Sequence, residues 1–336
     1  MERTEHMEHR TLGRTGRDVS VVGLGTWQLG ADWGEVSEDD ALAVLAAAVE
    51  SGVTLLDTAD VYGDGRSEQL IGRFRAERPD LPLTVATKMG RRVEQRLENY
   101  TPEAFRAWTD RSRRNLGVET LDLVQLHCPP SEVIEADATY DALDALVDDG
   151  TLAAYAVSVE TCDQALAAIA RPGVASVQII LNAFRRKPLD AVLPAAIEAG
   201  VGIVARVPLA SGLLSGRYTR ETTFAADDHR AYNRDGSAFD VGETFSGVDY
   251  ATGLDAAAAF SALVADADLG LTPAQAALAW VVQQPGVTTV IPGARDVDQA
   301  RANAVAGSAA PLPAAFLDAV EALYDERLRA DIQPRW

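Results

Sequence analysis

Eight short, continuously apolar runs constrain this chain more than any other feature. They occupy residues 21–25, 54–57, 83–88, 121–127, 153–158, 176–181, 202–207 and 288–292, and each is separated from the next by a longer stretch. A run that is apolar at every position, rather than at alternate ones, fits a strand buried on both faces, as in a parallel sheet. The stretches between carry helix signals. Residues 38–51 open with Glu38, Asp39 and Asp40 behind a potential Ser37 cap and end at Gly52. Thr101-Pro102-Glu103 and Thr272-Pro273-Ala274 both place a capping hydroxyl before a first-turn proline, and Gly117 suits the end of the former helix.

Strand and helix alternating eight times predict parallel strands closed into a (β/α)8 TIM barrel, with an open doubly wound sheet as the competing architecture. Residues 10–20, with Thr15-Gly16-Arg17 at their centre, predict a β-hairpin ahead of the first barrel strand. Residues 217–254 predict a long polar loop after the seventh strand, and loops of that length usually carry function. The reading is one domain over 1–336, with 1–9 disordered. No repeat of fixed period and no low-complexity linker divides it.

Charge narrows the partners. The formal net charge is −20 and the only lysines are Lys88 and Lys187, all other basic side chains being arginine. Such acidity argues against nucleic acid and anionic membranes as partners, which need clustered positive charge. It fits a halophilic-type surface, or else a mesophilic acidic protein from an alanine- and arginine-rich proteome. Cys128 and Cys162 are the only cysteines and show no metal-ligand spacing, so a reduced compartment and no metal site are expected. No apolar leader opens the sequence and no run approaches the ~18 residues of a bilayer span, so a cytoplasmic location is expected.

In a barrel the chemistry gathers at the C-terminal ends of the strands. Those ends carry Asp57, Lys88 and His127 on three successive runs, and Tyr62 follows Asp57 by five residues. Alone, each has a bland reading: a helix cap, a surface amine, a hydrogen-bonded core imidazole, a packing phenol. Together they describe a proton donor. A phenol titrates near pH 10 and a neighbouring ammonium lowers that value. Asp57 would anchor Lys88, and His127 would orient a substrate oxygen. A positioned acid contributes roughly 10²–10⁴ in rate.

Several segments then fall in order. They are Gly23-Leu24-Gly25-Thr26-Trp27, Asp57-Thr58-Ala59 with Tyr62-Gly63, Thr87-Lys88, Asp122 to His127, Pro208 to Gly216, and Ile291-Pro292-Gly293-Ala294-Arg295. In these the chain resembles the aldo-keto reductase superfamily over nearly its whole length. The resemblance implies a (β/α)8 barrel, a nicotinamide cofactor, NADP(H) with NAD(H) as the other option, and a catalytic tetrad on Asp57, Tyr62, Lys88 and His127. The implied activity is reduction of an aldehyde or ketone to an alcohol, and Trp27 and Trp33, expected in the pocket, favour a flat or sugar-like one.

The resemblance also implies a cofactor cradle. Gly25, Thr26, Trp27 and Asp57 would contribute from the first strands. Ser158 and Gln178 match positions that hold the carboxamide, although Val159 and Leu181 stand where the family has Asn and Tyr. Arg206 falls where an aromatic often stacks on nicotinamide. Pro208, Leu209, Ser211, Gly212 and Leu214 form the next segment. Ile291, Pro292, Gly293, Ala294, Arg295, Gln299 and Asn303 match the adenosine-phosphate segment, with Arg295 the expected ligand of a 2′-phosphate. Gln299 replaces an arginine common in NADPH-selective members. No GxGxxG strand–turn–helix fingerprint supports a Rossmann site.

The substrate pocket is expected from Trp27, Trp33, Cys128-Pro129-Pro130, the 217–254 loop and the C-terminal tail. Two other readings stand beside the reductase. One is a cofactor-binding regulatory subunit resembling potassium-channel β-subunits. The other is a barrel hydrolase or isomerase, which would need a pair of carboxylates flanking one site. The partner implied is a small-molecule carbonyl or alcohol, and neither nucleic acid nor membrane.

Overall fold

A computed structural model describes residues 7–30 and 36–336 of the chain. All eight apolar runs contain strands. In chain order these are β3 (Leu24–Gly25), β4 (Leu55–Asp57), β5 (Thr84–Met89), β6 (Leu123–His127), β7 (Tyr155–Ser158), β8 (Val174–Ile180), β9 (Gly202–Arg206) and β10 (Thr289–Val290), after a separate pair β1 (His9–Thr11) and β2 (Asp18–Ser20). The eight form one parallel sheet in sequence order. It closes on itself where Val22 pairs with Val290 and Gly25 with Gly293. At that seam the Gly25 N–H donates to Pro292 O at 3.0 Å. A Cβ on Gly25 would lie 3.0 Å from Ile291 O, so glycine lets the first and last strands approach.

The inside of the barrel is a compact apolar cluster, with Leu55, Ala86, Leu123, Ala156, Ala175 and Val204 drawn from six successive strands. Leu12 and Val19 of the β1–β2 hairpin join it, so the hairpin stops the barrel at one end. The opposite end, where the strands terminate, is left open for chemistry. A larger apolar shell lies between strands and helices.

The predicted caps form. Ser37 accepts from Asp40 N, Thr101 from Ala104 N, and Thr272 from Gln275 N in a full capping box. Among the described residues no helix is long and apolar enough to cross a membrane.

Two expectations need correction. The disorder expected over 1–9 does not hold for Met7 to His9, since Met7 packs against Gly307 and Gly52 while His9 starts β1 (residues 1–6 lie outside the described residues). Residues 217–254 are also not an open polar loop. They hold a short helix (His229–Tyr232) and two 3-10 turns, and from Tyr250 they belong to the helix Tyr250–Asp266. Asp228, His229, Arg230, Asn233, Glu243 and Ser246 in this stretch are buried. Many of its polar side chains pair with the barrel or with each other rather than facing water, which hydrophobicity alone could not reveal.

Candidate active site

The strand ends converge as the barrel geometry requires. Lys88 sits beside Gln125, His127 beside Ser158 and Ser158 beside Gln178 in the strand register. Lys88 is almost wholly buried, and its ammonium donates to Asp57 Oδ1 at 2.5 Å, to Thr58 O at 2.8 Å and to Tyr62 OH at 3.3 Å. The other Asp57 oxygen accepts from Gln125 Nε2 at 3.0 Å and Gln178 Nε2 at 2.7 Å. A buried carboxylate is thus fully solvated by protein donors, which is what burying a charge requires.

Burial lowers the Lys88 pKa, but Asp57 and Tyr62 outweigh it, so the amine is held above its ordinary value and remains charged. Tyr62 departs from the expectation. Lys88 does pull the phenol down, yet burial is the larger effect and the pKa is raised overall. The phenol therefore keeps its proton at neutral pH. His127 stands edge-on to Tyr62, with ring centroids 6.0 Å apart. Burial first, then the nearby Arg91 and Lys88, hold its pKa well below the usual imidazole range, so the ring is neutral and has one N–H to donate.

A cavity of about 820 Å³ runs from Tyr62 and His127 past Arg206 to Arg295, Gln299 and Asn303. That lies near the top of the ~300–1,000 Å³ range of small-molecule sites. Of the residues expected to bind cofactor, Gly25, Thr26, Trp27, Asp57, Ser158, Gln178, Arg206, Pro208, Leu209, Ser211 and Gly212 line it. So do Ile291, Pro292, Gly293, Arg295, Gln299 and Asn303. Leu214 and Ala294 do not; both are buried in the apolar shell. Lys88 lies beneath the wall and reaches the cavity only through Tyr62 and Asp57.

Two residues are placed differently from their expected roles. The Gln178 amide N–H groups are committed to Asp57 and to Gln125 Oε1, leaving Oε1 toward Ser158 Oγ at 3.4 Å. Gln178 therefore braces the tetrad as well as lining the cavity. The Arg206 guanidinium is tied down, donating to Glu160 Oε2 at 2.9 Å and Val159 O at 3.1 Å. It belongs to a buried group of four charges, in which Arg91 also bridges Glu160 at 3.3 Å and Glu243 at 2.7 Å. Burial, with Glu243 alongside, pushes Glu160 up to about 7. For Glu243 burial is outweighed by Arg91 and Arg206, which hold it below the usual carboxylate range.

The cavity wall also contains Tyr218, His229, Arg230 and Glu243 from the segment expected to line the pocket, and Gln28, Thr272, Gln275, Asp296 and Asp298, which the sequence did not point to. Trp27 packs 6.0 Å from Tyr62 and 4.8 Å from His229, ring centre to ring centre. Of the expected substrate pocket, Trp27 and parts of the 217–254 segment line this cavity, whereas the Cys128-Pro129-Pro130 stretch and the C-terminal tail do not. Trp33 lies outside the described residues. Gln125 carried a legible signal, being polar within an apolar run and two residues from His127, hence on the same face. For 217–254 the length of the segment pointed to the pocket, but nothing in the sequence singled out which of its residues reach it.

Comparison with known proteins agrees with this geometry. The model of the aldo/keto reductase family matches residues 21–325. The aldo-keto reductase YhdN of Bacillus subtilis is 28% identical over 88% of this chain and 87% of its own length. The solved glycerol dehydrogenase AKR11B4 of Gluconobacter oxydans is 28% identical, with a TM-score of 0.77 over 100% of this chain and 99% of that one. A Klebsiella pneumoniae aldo-keto reductase solved with NADPH, 23% identical and with a TM-score of 0.70 over 95% of each chain, shares the fold.

Proposed function

The chain belongs to the aldo/keto reductase family, and from that premise we propose that it reduces an aldehyde or ketone to the alcohol with NADPH, using Tyr62 as the general acid. One observation carries the reading. A protonated, half-buried phenol stands 3.3 Å from an ammonium that is itself anchored at 2.5 Å by Asp57, in the wall of a cavity of about 820 Å³. The bound nicotinamide supplies a hydride to the carbonyl carbon.

The protein supplies the rest. His127, neutral and rigidly placed, donates its N–H to the carbonyl oxygen and fixes the angle of approach. As negative charge grows on that oxygen, Tyr62 delivers its proton. The phenolate left behind is stabilised by Lys88, whose charge Asp57 holds in place. The raised Tyr62 pKa suits a donor that must stay loaded between turnovers, and it favours the reducing direction near neutrality.

The residues present fit a dinucleotide. Besides Tyr62, Pro208, Leu209, Ser211 and Gly212 line the cavity, and so does the exposed Arg295, whose guanidinium can make a bidentate phosphate contact. Ser158 and Gln178 Oε1 offer polar partners for a carboxamide.

The test is Tyr62→Phe, with NADPH binding followed by cofactor fluorescence and turnover followed on 4-nitrobenzaldehyde, an activated and uncharged aldehyde. Turnover is expected to fall to background while the NADPH Kd stays unchanged. Retained turnover would sink the assignment.

A further inference from the structure

The loop that carries Tyr62 is held by charges that take no part in proton transfer. Gly63, Asp64 and Gly65 follow Tyr62 with φ of 59°, 54° and 96°, three successive left-handed residues. Glycine adopts such angles freely and aspartate more readily than most residues, but three in succession fix the loop only when its surroundings hold them. Here they do. Asp64 Oδ1 accepts from Arg92 at 2.5 Å and from Arg111 at 2.9 Å. Arg111 also donates to Asp64 O at 2.6 Å and to Asp60 O at 2.9 Å, so one guanidinium grips the chain on both sides of Tyr62. On the opposite flank the Gly30 backbone is a hard stop, since a Cβ there would lie 2.7 Å from the Tyr62 carbonyl carbon.

The origin of the two arginines matters. Arg92 lies three residues beyond the end of β5, the strand that holds Lys88, and Arg111 lies on the helix Pro102–Leu116 that follows. The clamp therefore references the Tyr62 loop to the same segment that presents its ammonium partner. Asp64 itself is 76% exposed and touches neither Lys88 nor the cavity. Its left-handed backbone and its two ion pairs contribute nothing to a buried core. They are accounted for if the geometry they impose is what matters.

We propose that Asp64, Arg92 and Arg111 are positioning residues that set the distance between the Tyr62 hydroxyl and Lys88 and thereby the rate of proton delivery. The proposal rests on the reductase reading for the rate, and on the structure alone for the distance. Misplacing a reacting group by about 1 Å costs up to ~10²-fold in rate. A drift away from the 3.3 Å contact also weakens the pull of the ammonium on the phenolate and so raises the Tyr62 pKa further, if Asp57, His127 and Glu243, the other charged or titratable groups facing it, stay fixed.

Asp64→Gly separates strain from clamp, because glycine accepts the left-handed angle while both ion pairs disappear. Asp64→Asn keeps an acceptor oxygen and a residue tolerant of that angle. Arg111→Met removes the grip from the other side. The three variants and wild type are compared by crystal structure, melting temperature, NADPH Kd, and kcat for 4-nitrobenzaldehyde between pH 6 and 10.

We expect Asp64→Gly and Arg111→Met to lengthen or disorder the Tyr62–Lys88 contact and to lower kcat roughly 10- to 100-fold. The alkaline limb of kcat moves up, the NADPH Kd is unchanged, and Asp64→Asn recovers part of the loss. For Asp64→Gly the melting temperature stays near that of wild type. A Tyr62 that keeps its 3.3 Å contact in Asp64→Gly overturns the proposal, as does a displaced Tyr62 with undiminished kcat, or a kcat loss that follows melting temperature across the series. An active Tyr62→Phe enzyme condemns the reductase reading instead. An inactive Tyr62→Phe beside a fully active Asp64→Gly condemns the clamp alone.

Discussion

Replacing Lys88 by Met removes the positive charge that donates to the Tyr62 oxygen, and the structure sets the size of the effect. At the observed 3.3 Å and an effective dielectric of about 20, a full phenolate gains roughly 5 kcal/mol from the ammonium. With the proton about half transferred in the transition state, the loss is near 2.5 kcal/mol, or about 10²-fold in the rate of reduction. A complication is stability, because Asp57 would keep only its amide partners, Gln125 and Gln178. Leaving one member of a buried ion pair alone typically costs about 3–5 kcal/mol. The double variant Asp57→Asn with Lys88→Met removes that unpaired charge and regains stability, yet leaves the phenolate unsupported. Single-turnover hydride transfer, followed by loss of NADPH absorbance, is therefore expected to be ~10²-fold slow in both variants, although only the single one melts early. Alcohol oxidation, which needs the phenolate, has its rise with pH displaced upward. A folded double variant within about threefold of wild-type rate would refute the electrostatic argument.

Two further outcomes follow from separate parts of the molecule. Asp60 is fully buried with neither carboxylate oxygen hydrogen-bonded, and burial, with Glu68 nearby, lifts its pKa from 3.8 to about 7. The folded chain thus holds a proton that the unfolded chain has lost, so this contribution to stability is complete below pH 4 and disappears as pH rises through 7. Denaturant midpoints at pH 5 and pH 8 should diverge less in Asp60→Asn than in wild type; an equal divergence would show that Asp60 does not titrate as described. Arg295→Ala should weaken NADPH by about tenfold or more and leave NADH unaffected, as expected for loss of a charge-assisted phosphate contact. Equal weakening of both dinucleotides in a fluorescence titration would move the 2′-phosphate contact elsewhere.

The barrel was legible because its strands carry apolar residues at consecutive rather than alternate positions, and few other arrangements accept eight such runs with helices between them. The strand ends were legible for a related reason. A polar residue at the end of an apolar strand has either solvent or a site in front of it; Asp57 and His127 close their strands on the open side and Lys88 stands one residue before the end of its own. Lys88 stood out further because arginine serves at nearly every other basic position. What stayed hidden depended on contacts between distant segments. Glu243 lies 152 residues from Arg91, and nothing in the polar composition of 217–254 announces that the two meet at 2.7 Å. Leu214 and Ala294 failed as cavity residues for the opposite reason. They sit within matching motifs, and a motif does not say which of its side chains face the core.

The sign of the Tyr62 shift shows where residue-level reasoning stops. From sequence, an ammonium next to a phenol lowers its pKa, and that attraction is present in the structure. The ammonium is held close only because its strand is buried, and the same burial strips water from the phenolate. The two effects have one origin and opposite signs, so their balance depends on depth, which the order of residues does not record. Asp57 tips it further, because the carboxylate that anchors Lys88 also offsets part of the charge felt by Tyr62. The catalytic consequence reverses accordingly. On the mechanism proposed above, the site serves less to make Tyr62 acidic at rest than to keep it protonated and to stabilise its anion when proton transfer begins. Weakening the Asp57 anchor should therefore harm the rate through lost placement of Lys88 even though it frees more of the ammonium's charge.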